Sequence, residues 1–415
     1  MPLLRLAIVG TARILPSHLR GIRRLLDAGL TDVRITALVS RTTEGALSFR
    51  RRGEGPTPRP PVMEGSDPLA APHMYVSDVH PDTLPECFTR VEDMLDRGIA
   101  DAVLLLSPVG LHHEQGLQCL RAGLHVFVEK PLAVSVRAGR AMVAEAERRG
   151  LTLGVAEGMR YERGGRLQRW AAEHLLGPVE MALMGGVGGV WSPDRIAAKT
   201  PWRHVRAQAG AGPALDLGVH QFAHMRYVGG EVEEVTAVTE RLAAERFDRA
   251  PDGTILQRVE PDVEDTYHAV FRFQKGGLGH LAFSWALHGE STWWPQQPVW
   301  YGRNGSLKGL RFTADGGAAT DLGEAGRDLV GAAGYDAWFP AGVTDSKALQ
   351  FLDFARAVER RGSPEASGRQ GLMELACAFA IVESGLRRAA VRVDDVLSGA
   401  VDAWQRPVDL ALGLV

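Results

Sequence analysis

Two short stretches of this chain carry residues suited to moving a proton beside a reacting carbon. The first is Leu124-His125-Val126-Phe127-Val128-Glu129-Lys130-Pro131, an almost unbroken apolar run that stops on an acid, a base and a proline. Such a run reads as a strand buried on both faces. The carboxyl ends of parallel strands line the ligand crevice of an open α/β sheet, so Lys130 is a cation delivered towards a substrate. Pro131 stops further ladder pairing and favours an extended Lys130. The second is Gly210-Ala211-Gly212-Pro213-Ala214-Leu215-Asp216-Leu217-Gly218-Val219-His220-Gln221-Phe222. Pro213 suits the first turn of a helix. Leu215, Val219 and Phe222 would then form a buried stripe, with Asp216 and His220 one turn apart on a neighbouring face. A carboxylate so placed orients the imidazole and favours its charged form, while the ring exchanges a proton near neutral pH. Taken alone, the first stretch is equally an ordinary solvated strand end, and the second an ordinary helix-surface pair.

The elements around Lys130 give it a context. Leu6-Ala7-Ile8-Val9-Gly10 is an apolar strand closing on glycine, followed by a helix with apolar Leu15, Leu19, Ile22, Leu25 and Leu26. This is the first β-turn-α of a nucleotide fold, and it sets a helix N-terminus against a pyrophosphate. The turn Gly10-Thr11-Ala12-Arg13-Ile14 keeps the first glycine of the usual fingerprint and has alanine at the second. Either the cofactor then sits slightly farther out, or Arg13 adds a compensating charge. Val33–Val39 alternates as a strand and ends in Ser40-Arg41. An acid near this point takes the ribose 2′-hydroxyl of NAD, whereas Ser and Arg accommodate a 2′-phosphate, so NADP is expected with NAD as the alternative. A solvated arginine at a strand end is the rival reading of Arg41.

Residues 53–72 are rich in proline and glycine and read as a surface excursion, long enough to act as a lid or an oligomer contact. Regular alternation resumes with a strand around Tyr75-Val76, a helix from Pro81 to Arg97, a strand Ala102–Leu106 closing on Ser107-Pro108, and a helix from Leu111 to Ala122. After the Lys130 strand come a helix from Ser135 to Arg149 and a strand from Leu151 to Ala156, which completes the six β-α units of a doubly wound sheet.

At 415 residues two domains are expected, divided as 1–158 and 159–415. A net charge of -3 gives no reason to expect nucleic acid. The three cysteines (Cys87, Cys119, Cys377) are scattered, which suggests neither disulfides nor a metal site and fits a cytoplasmic setting. No segment approaches membrane-spanning length, and the N-terminus enters a strand without an export signal.

Beyond residue 158, Val179–Val187, Glu233–Arg241, Thr266–Phe273 and Gly279–Trp285 alternate as strands of a mostly antiparallel sheet. Arg203, His204 and His224, around the Asp216-His220 stretch, are candidates for substrate hydroxyl or carboxylate contacts, with a surface or supporting position as the stronger rival reading for each. Tryptophans 191, 202, 285, 293, 294, 300 and 338 include potential stacking surfaces, most of them core. The segments Ser346–Arg361 and Arg369–Arg387 read as packing helices.

Gly10, Ser107-Pro108 followed by His112, Ala122-Gly123-Leu124-His125-Val126-Phe127-Val128-Glu129-Lys130-Pro131-Leu132 and Arg160-Tyr161 together resemble the glucose-fructose oxidoreductase / inositol dehydrogenase / rhizopine-catabolism family over essentially the whole chain. The resemblance implies an N-terminal Rossmann domain followed by an α+β domain with a large open sheet used for subunit pairing, as a homodimer or homotetramer. It implies a nicotinamide dinucleotide contacted by Gly10, Thr11, Ala12, Arg13, Ile14, Ser40, Arg41, Ser107, Pro108, His112, Glu129 and Lys130. It implies a sugar or polyol substrate met by Lys130, Arg160, Trp202, Arg203, Asp216 and His220. Asp216 and His220 fall on the family's Asp-x-Gly-x-His motif, with Lys130 the third member of the catalytic group. Ala223 stands where an acid often follows, and Ala211 interrupts a usual triple glycine, which puts substrate contacts more in doubt than chemistry. Hydride transfer is the expected reaction, with Lys130 as the cation, His220 as the proton relay and Asp216 fixing the ring. A non-catalytic dinucleotide-binding regulator and an NAD-recycling glycosidase on the same fold are the alternatives.

Overall fold

Strands that are apolar at every position must be covered on both faces, and the N-terminal third of the chain supplies several. In the computed structural model, which describes residues 3–61, 68–188, 200–250, 252–295 and 297–415, they form one parallel sheet. Its strands are β1 (Leu4–Val9), β2 (Val33–Val39), β3 (Glu86–Phe88), β4 (Ala102–Leu105), β5 (His125–Glu129) and β6 (Leu153–Ala156). The order β3-β2-β1-β4-β5-β6 is that of a doubly wound sheet, with the direction of winding reversing between β1 and β4. Gly10 and Ser107 follow the two strands at that reversal, where ligands bind in such folds.

The chain divides into two compact units that are not contiguous in sequence. One holds residues up to Leu132, Gly139–Tyr161 and Asp336–Gly371; the other holds Ala133–Ala138, Glu162–Tyr335 and Leu372–Val415. The segment 336–371, grouped with the second domain by the sequence division at 158, thus returns to the first unit. The cause is packing. The helix Ser346–Glu359 buries Phe351 and Phe354, and Phe354 stacks on Phe127 of β5 at 5.0 Å between ring centroids. At its N-terminal end it approaches the first helix, Leu15–Asp27, so closely that a Cβ on Gly21 would lie 2.8 Å from the Ala348 nitrogen.

Two local expectations are corrected. Tyr75-Val76 is not a strand: Val76–Val79 is a helical turn, with the Asp78 carboxylate accepting the Tyr75 N–H at 2.8 Å. The helix expected from Pro81 to Arg97 shrinks to Val91–Asp96, because Glu86–Phe88 is taken up as edge strand β3 against β2. Pro81 and Pro85, without N–H groups, suit the irregular approach to that edge.

The second unit is built on a ten-stranded sheet containing β7 (Val179–Val187), β8 (Val232–Glu240), β11 (Thr266–Phe273), β12 (Leu278–Ser284), β13 (Thr292–Trp293), β14 (Val299–Gly302), β15 (Gly305–Lys308), β16 (Arg311–Ala314), β17 (Ala319–Asp321) and β18 (Val391–Arg392). β9 (Arg246–Arg249) and β10 (Ile255–Val259) form a separate hairpin. All pairings in the large sheet are antiparallel except β7 with β12. Along β11 buried and exposed residues alternate strictly, as the period of a half-buried strand requires.

Candidate active site

The glycine turn is fixed by close approach. Gly10 has φ +98°, and a Cβ there would lie 2.6 Å from the Ser107 nitrogen, so only glycine lets the end of β1 touch the Ser107-Pro108 loop. Thr11 and Ser40 are brought together, their hydroxyls 2.9 Å apart. Thr11, Arg13, Ser40 and Arg41 line a cavity of about 350 Å³ in the first unit. Ala12 and Ile14 turn instead towards the core, where they pack on the hydrophobic cluster.

The end of β5 is tied to its surroundings at several points. The Glu129 carboxylate accepts the Lys130 backbone N–H at 3.1 Å, the His18 Nε2 at 2.8 Å and the Lys347 ammonium at 2.5 Å. Burial pushes the Glu129 carboxyl up, yet Lys347 and His18 together outweigh burial and hold it well below the usual carboxylate range. Burial, assisted by the Lys347 charge, holds His18 below its ordinary value, so the ring donates as a neutral imidazole. Glu129, expected at the cofactor, is therefore engaged in holding the strand end that carries Lys130. His112 is buried as well: its ring nitrogens meet the carbonyls of Ser107 (2.8 Å) and Pro131 (2.9 Å), joining the loops after β4 and β5. The Lys130–Pro131 peptide is cis, and the Lys130 side chain is half-buried. Arg160, expected at the substrate, is buried in the first unit and donates to Gln370 Oε1 at 2.9 Å.

In the second unit the helix expected over Asp216 and His220 is present as two segments, Pro213–Asp216 and Gly218–Gly229, joined at Leu217. Leu217 keeps right-handed helical geometry (φ −108°, ψ −33°), its N–H donates to the Pro213 carbonyl at 3.1 Å and its carbonyl accepts the Gln221 N–H at 3.1 Å, so the helical pattern runs through the joint. Asp216 and His220 thus stand about one turn apart. Arg203 Nε donates to the Asp216 carboxylate at 3.2 Å, and the Arg203 guanidinium lies over the Trp202 ring at 4.4 Å. Trp202, Arg203 and Asp216 thus form one group, with half-buried His220 four residues on. The stretch just before Asp216 is clamped: buried Glu264 accepts the N–H groups of Gly212 (3.0 Å) and Ala214 (2.9 Å). Burial pushes the Glu264 carboxyl up to about 7, against the pull of those two N–H donors.

His204 and His224 both lie in the interior of the second unit. His204 is fully buried beside Arg246, and His224 is buried, its Nε2 2.5 Å from Gln168 Oε1 and its ring edge-on to Trp300. Trp285 and Trp300 are core, Trp293 and Trp294 are exposed, and Trp191 lies outside the described residues. Cys119 and Cys377 have thiols pushed up to about 12 by burial, which removes them as nucleophiles. Sequence reasoning missed Lys347, His18 and Glu264. Only Glu264 had a local signal, an acid in the last turn before an alternating strand.

A glycine turn at the switch point, the start of a helix, and arginine and hydroxyl side chains at the end of β2 are the features of a dinucleotide-binding surface. Comparison with known proteins agrees. Residues 4–157 match the family model described as oxidoreductase family, NAD-binding Rossmann fold, and residues 166–308 match that of the GFO/IDH/MocA C-terminal domain. The 1,5-anhydro-D-fructose reductase of Ensifer adhaerens is 27% identical over 309 residues, 74% of this chain and 84% of the relative. The myo-inositol 2-dehydrogenase of Thermotoga maritima is 26% identical over 333 residues, 78% of this chain and 91% of the relative. The fold is that of levoglucosan dehydrogenase in complex with NADH and levoglucosan (TM-score 0.72, 18% identity, 94% of this chain and 99% of that one). The two family models between them span most of the sequence, and the chain belongs to the GFO/IDH/MocA family of nicotinamide-dependent oxidoreductases.

Proposed function

We propose that this protein transfers a hydride between NADP and a hydroxyl or carbonyl carbon of a sugar, cyclitol or related polyol. The observation that carries the reading is the anchoring of the β5 end in the first unit, where Glu129 and His112 fix the backbone on either side of Lys130. Bound in the Rossmann unit, the nicotinamide supplies or accepts the hydride. Lys130 presents a cation to the oxygen that gains negative charge at the reacting carbon. His220 takes or returns the hydroxyl proton, and Asp216, itself steadied by Arg203, orients the ring. Trp202 offers an apolar ring to the carbon face of a sugar.

The preference for NADP rests on Ser40 and Arg41 at the end of β2 and on the cavity they share with Arg13, since none of the described residues lining it is a carboxylate. Relatives named for sugars and a cyclitol support the substrate class. The open face of the large sheet exposes Met181, Val238, Val270, Leu278 and Tyr301 on directly paired strands, which supports pairing of subunits through it. Three free thiols fit a cytoplasmic setting, and among the described residues no helix is long and apolar enough to cross a membrane.

The test is nicotinamide absorbance with a panel of sugars and polyols, for the wild type, Lys130→Met and His220→Ala. Each variant is expected to lower turnover by at least about 100-fold with dinucleotide binding kept. Near-normal turnover in both would end the reading. Binding without any net turnover would point to a regulator, and sugar release without net reduction to a glycosidase.

A further inference from the structure

The proline-rich segment after the helix Thr43–Arg50 is a sequence feature that the fold and the chemistry leave without a role. It reads as a surface excursion, yet residues 56–61 form a wall of the cavity at the end of β2. Two hydrogen bonds run in opposite directions between this wall and the glycine turn. Arg59 Nη2 donates to the Thr11 carbonyl at 3.0 Å, and Arg13 Nη1 donates to the Pro60 carbonyl at 3.3 Å. Arg13, Arg41 and Arg59 therefore line one cavity together with the hydroxyls of Thr11 and Ser40.

Gathering three guanidinium groups is costly unless an anion joins them. None of the described lining residues is an acid, and burial together with the nearby Arg59 charge pulls Arg13 below its ordinary value. The floor beneath is firm: the His73 ring meets the Ser48 carbonyl at 2.9 Å and lies 4.5 Å from Phe49 and 4.7 Å from Tyr75 between ring centroids. The prolines fix φ along the wall, so little backbone freedom is left to lose when a ligand enters.

We propose that residues 56–61 of this segment are part of the dinucleotide site, with Arg59 completing, alongside Arg13 and Arg41, a three-arginine seat for the 2′-phosphate of NADP. This rests on the reading that the cofactor's adenosine end lies at Ser40-Arg41, and adds that the chain's cofactor choice is set partly from outside the Rossmann core. A phosphate dianion accepts several charge-assisted hydrogen bonds from such a cluster, and the 2′-hydroxyl of NAD offers far less to three cations.

Calorimetric titration of the full chain with NADP and NAD, and with 2′,5′-ADP and 5′-AMP as fragments, tests it without knowledge of the substrate. Arg59→Gln is expected to shift the ratio of NADP to NAD dissociation constants by about tenfold or more towards NAD, with 2′,5′-ADP losing affinity in parallel. Arg59→Lys, which keeps the charge, recovers part of the loss. Arg41→Gln separates the two layers of the argument. A selective loss of NADP in Arg41→Gln with an unchanged ratio in Arg59→Gln overturns the role of the insertion alone. A wild type that prefers NAD, with no selective effect of Arg41→Gln, overturns the NADP reading and this inference with it. Equal weakening of both cofactors by Arg59→Gln makes the segment a mere structural wall and also overturns the proposal.

Discussion

Replacing Lys347 with Met leaves the apolar stem in place and removes only the ammonium group. In the wild type that group lies 2.5 Å from Glu129 Oε1, and the two side chains are 10% and 12% exposed. Removing one partner of a buried pair costs about 3–5 kcal/mol, because the other charge stays buried. The lower end applies here, since Glu129 keeps the His18 ring at 2.8 Å and the Lys130 N–H at 3.1 Å. Loss of the Lys347 charge also lifts one of the two influences that keep His18 neutral, so His18 takes up a proton more readily and restores part of the attraction. The expected loss near neutral pH is about 3 kcal/mol. Glu129 has a folded value below its unfolded one near 4.5, so its contribution is full above that pH and is lost as pH falls towards the folded value. The deficit of Lys347→Met is therefore largest near neutrality and narrows on acidification. Urea unfolding followed by circular dichroism measures it, and the double variant with Glu129→Gln supplies the coupling. A loss under about 0.5 kcal/mol, the size of an exposed pair, together with additive single effects would refute the reasoning.

Gly10→Ala is expected to cost about 3 kcal/mol and to weaken dinucleotide binding, because positive φ and the Ser107 backbone at 2.6 Å both oppose a Cβ; thermal unfolding and cofactor titration measure it. Glu264→Gln leaves one of the Gly212 and Ala214 N–H groups facing an amide NH₂, a loss of about 1–3 kcal/mol. Glu264 is raised to about 7 in the fold, so its stabilising contribution is full at low pH and is lost as pH rises through about 7; Glu264→Gln removes that slope from a stability–pH series. Val270→Asp places a charge on the open sheet face, at a residue 52% exposed, and is expected to shift sedimentation towards the monomer while the fold's melting temperature holds.

The strands β1, β2, β4, β5 and β6, and the long strands of the second sheet, were legible because burial on one or both faces imposes a period readable within four to nine residues. The glycine turn and the charged end of β5 were legible for the same local reason, and so was the family to which they point. Where local signals competed, the reading failed: Tyr75-Val76 has strand-forming residues, but Asp78 caps it into a helical turn. At Asp216 and His220 the expected helix holds, with Leu217 in helical geometry between its two segments.

What the sequence determined by itself was which residue types stand at strand ends and turns, and hence the dinucleotide fold and the cation at Lys130. What only the tertiary structure decided was who holds them. Glu129 meets Lys347 across 218 positions, Gly212 meets Glu264 across 52, and Arg59 meets Thr11 across 48. No periodicity encodes such pairings, because a side chain's own neighbours fix its face but not its partner. The partner is set by how separate elements pack, and that is why a lysine on a helix near residue 347 anchors the strand end at residue 129.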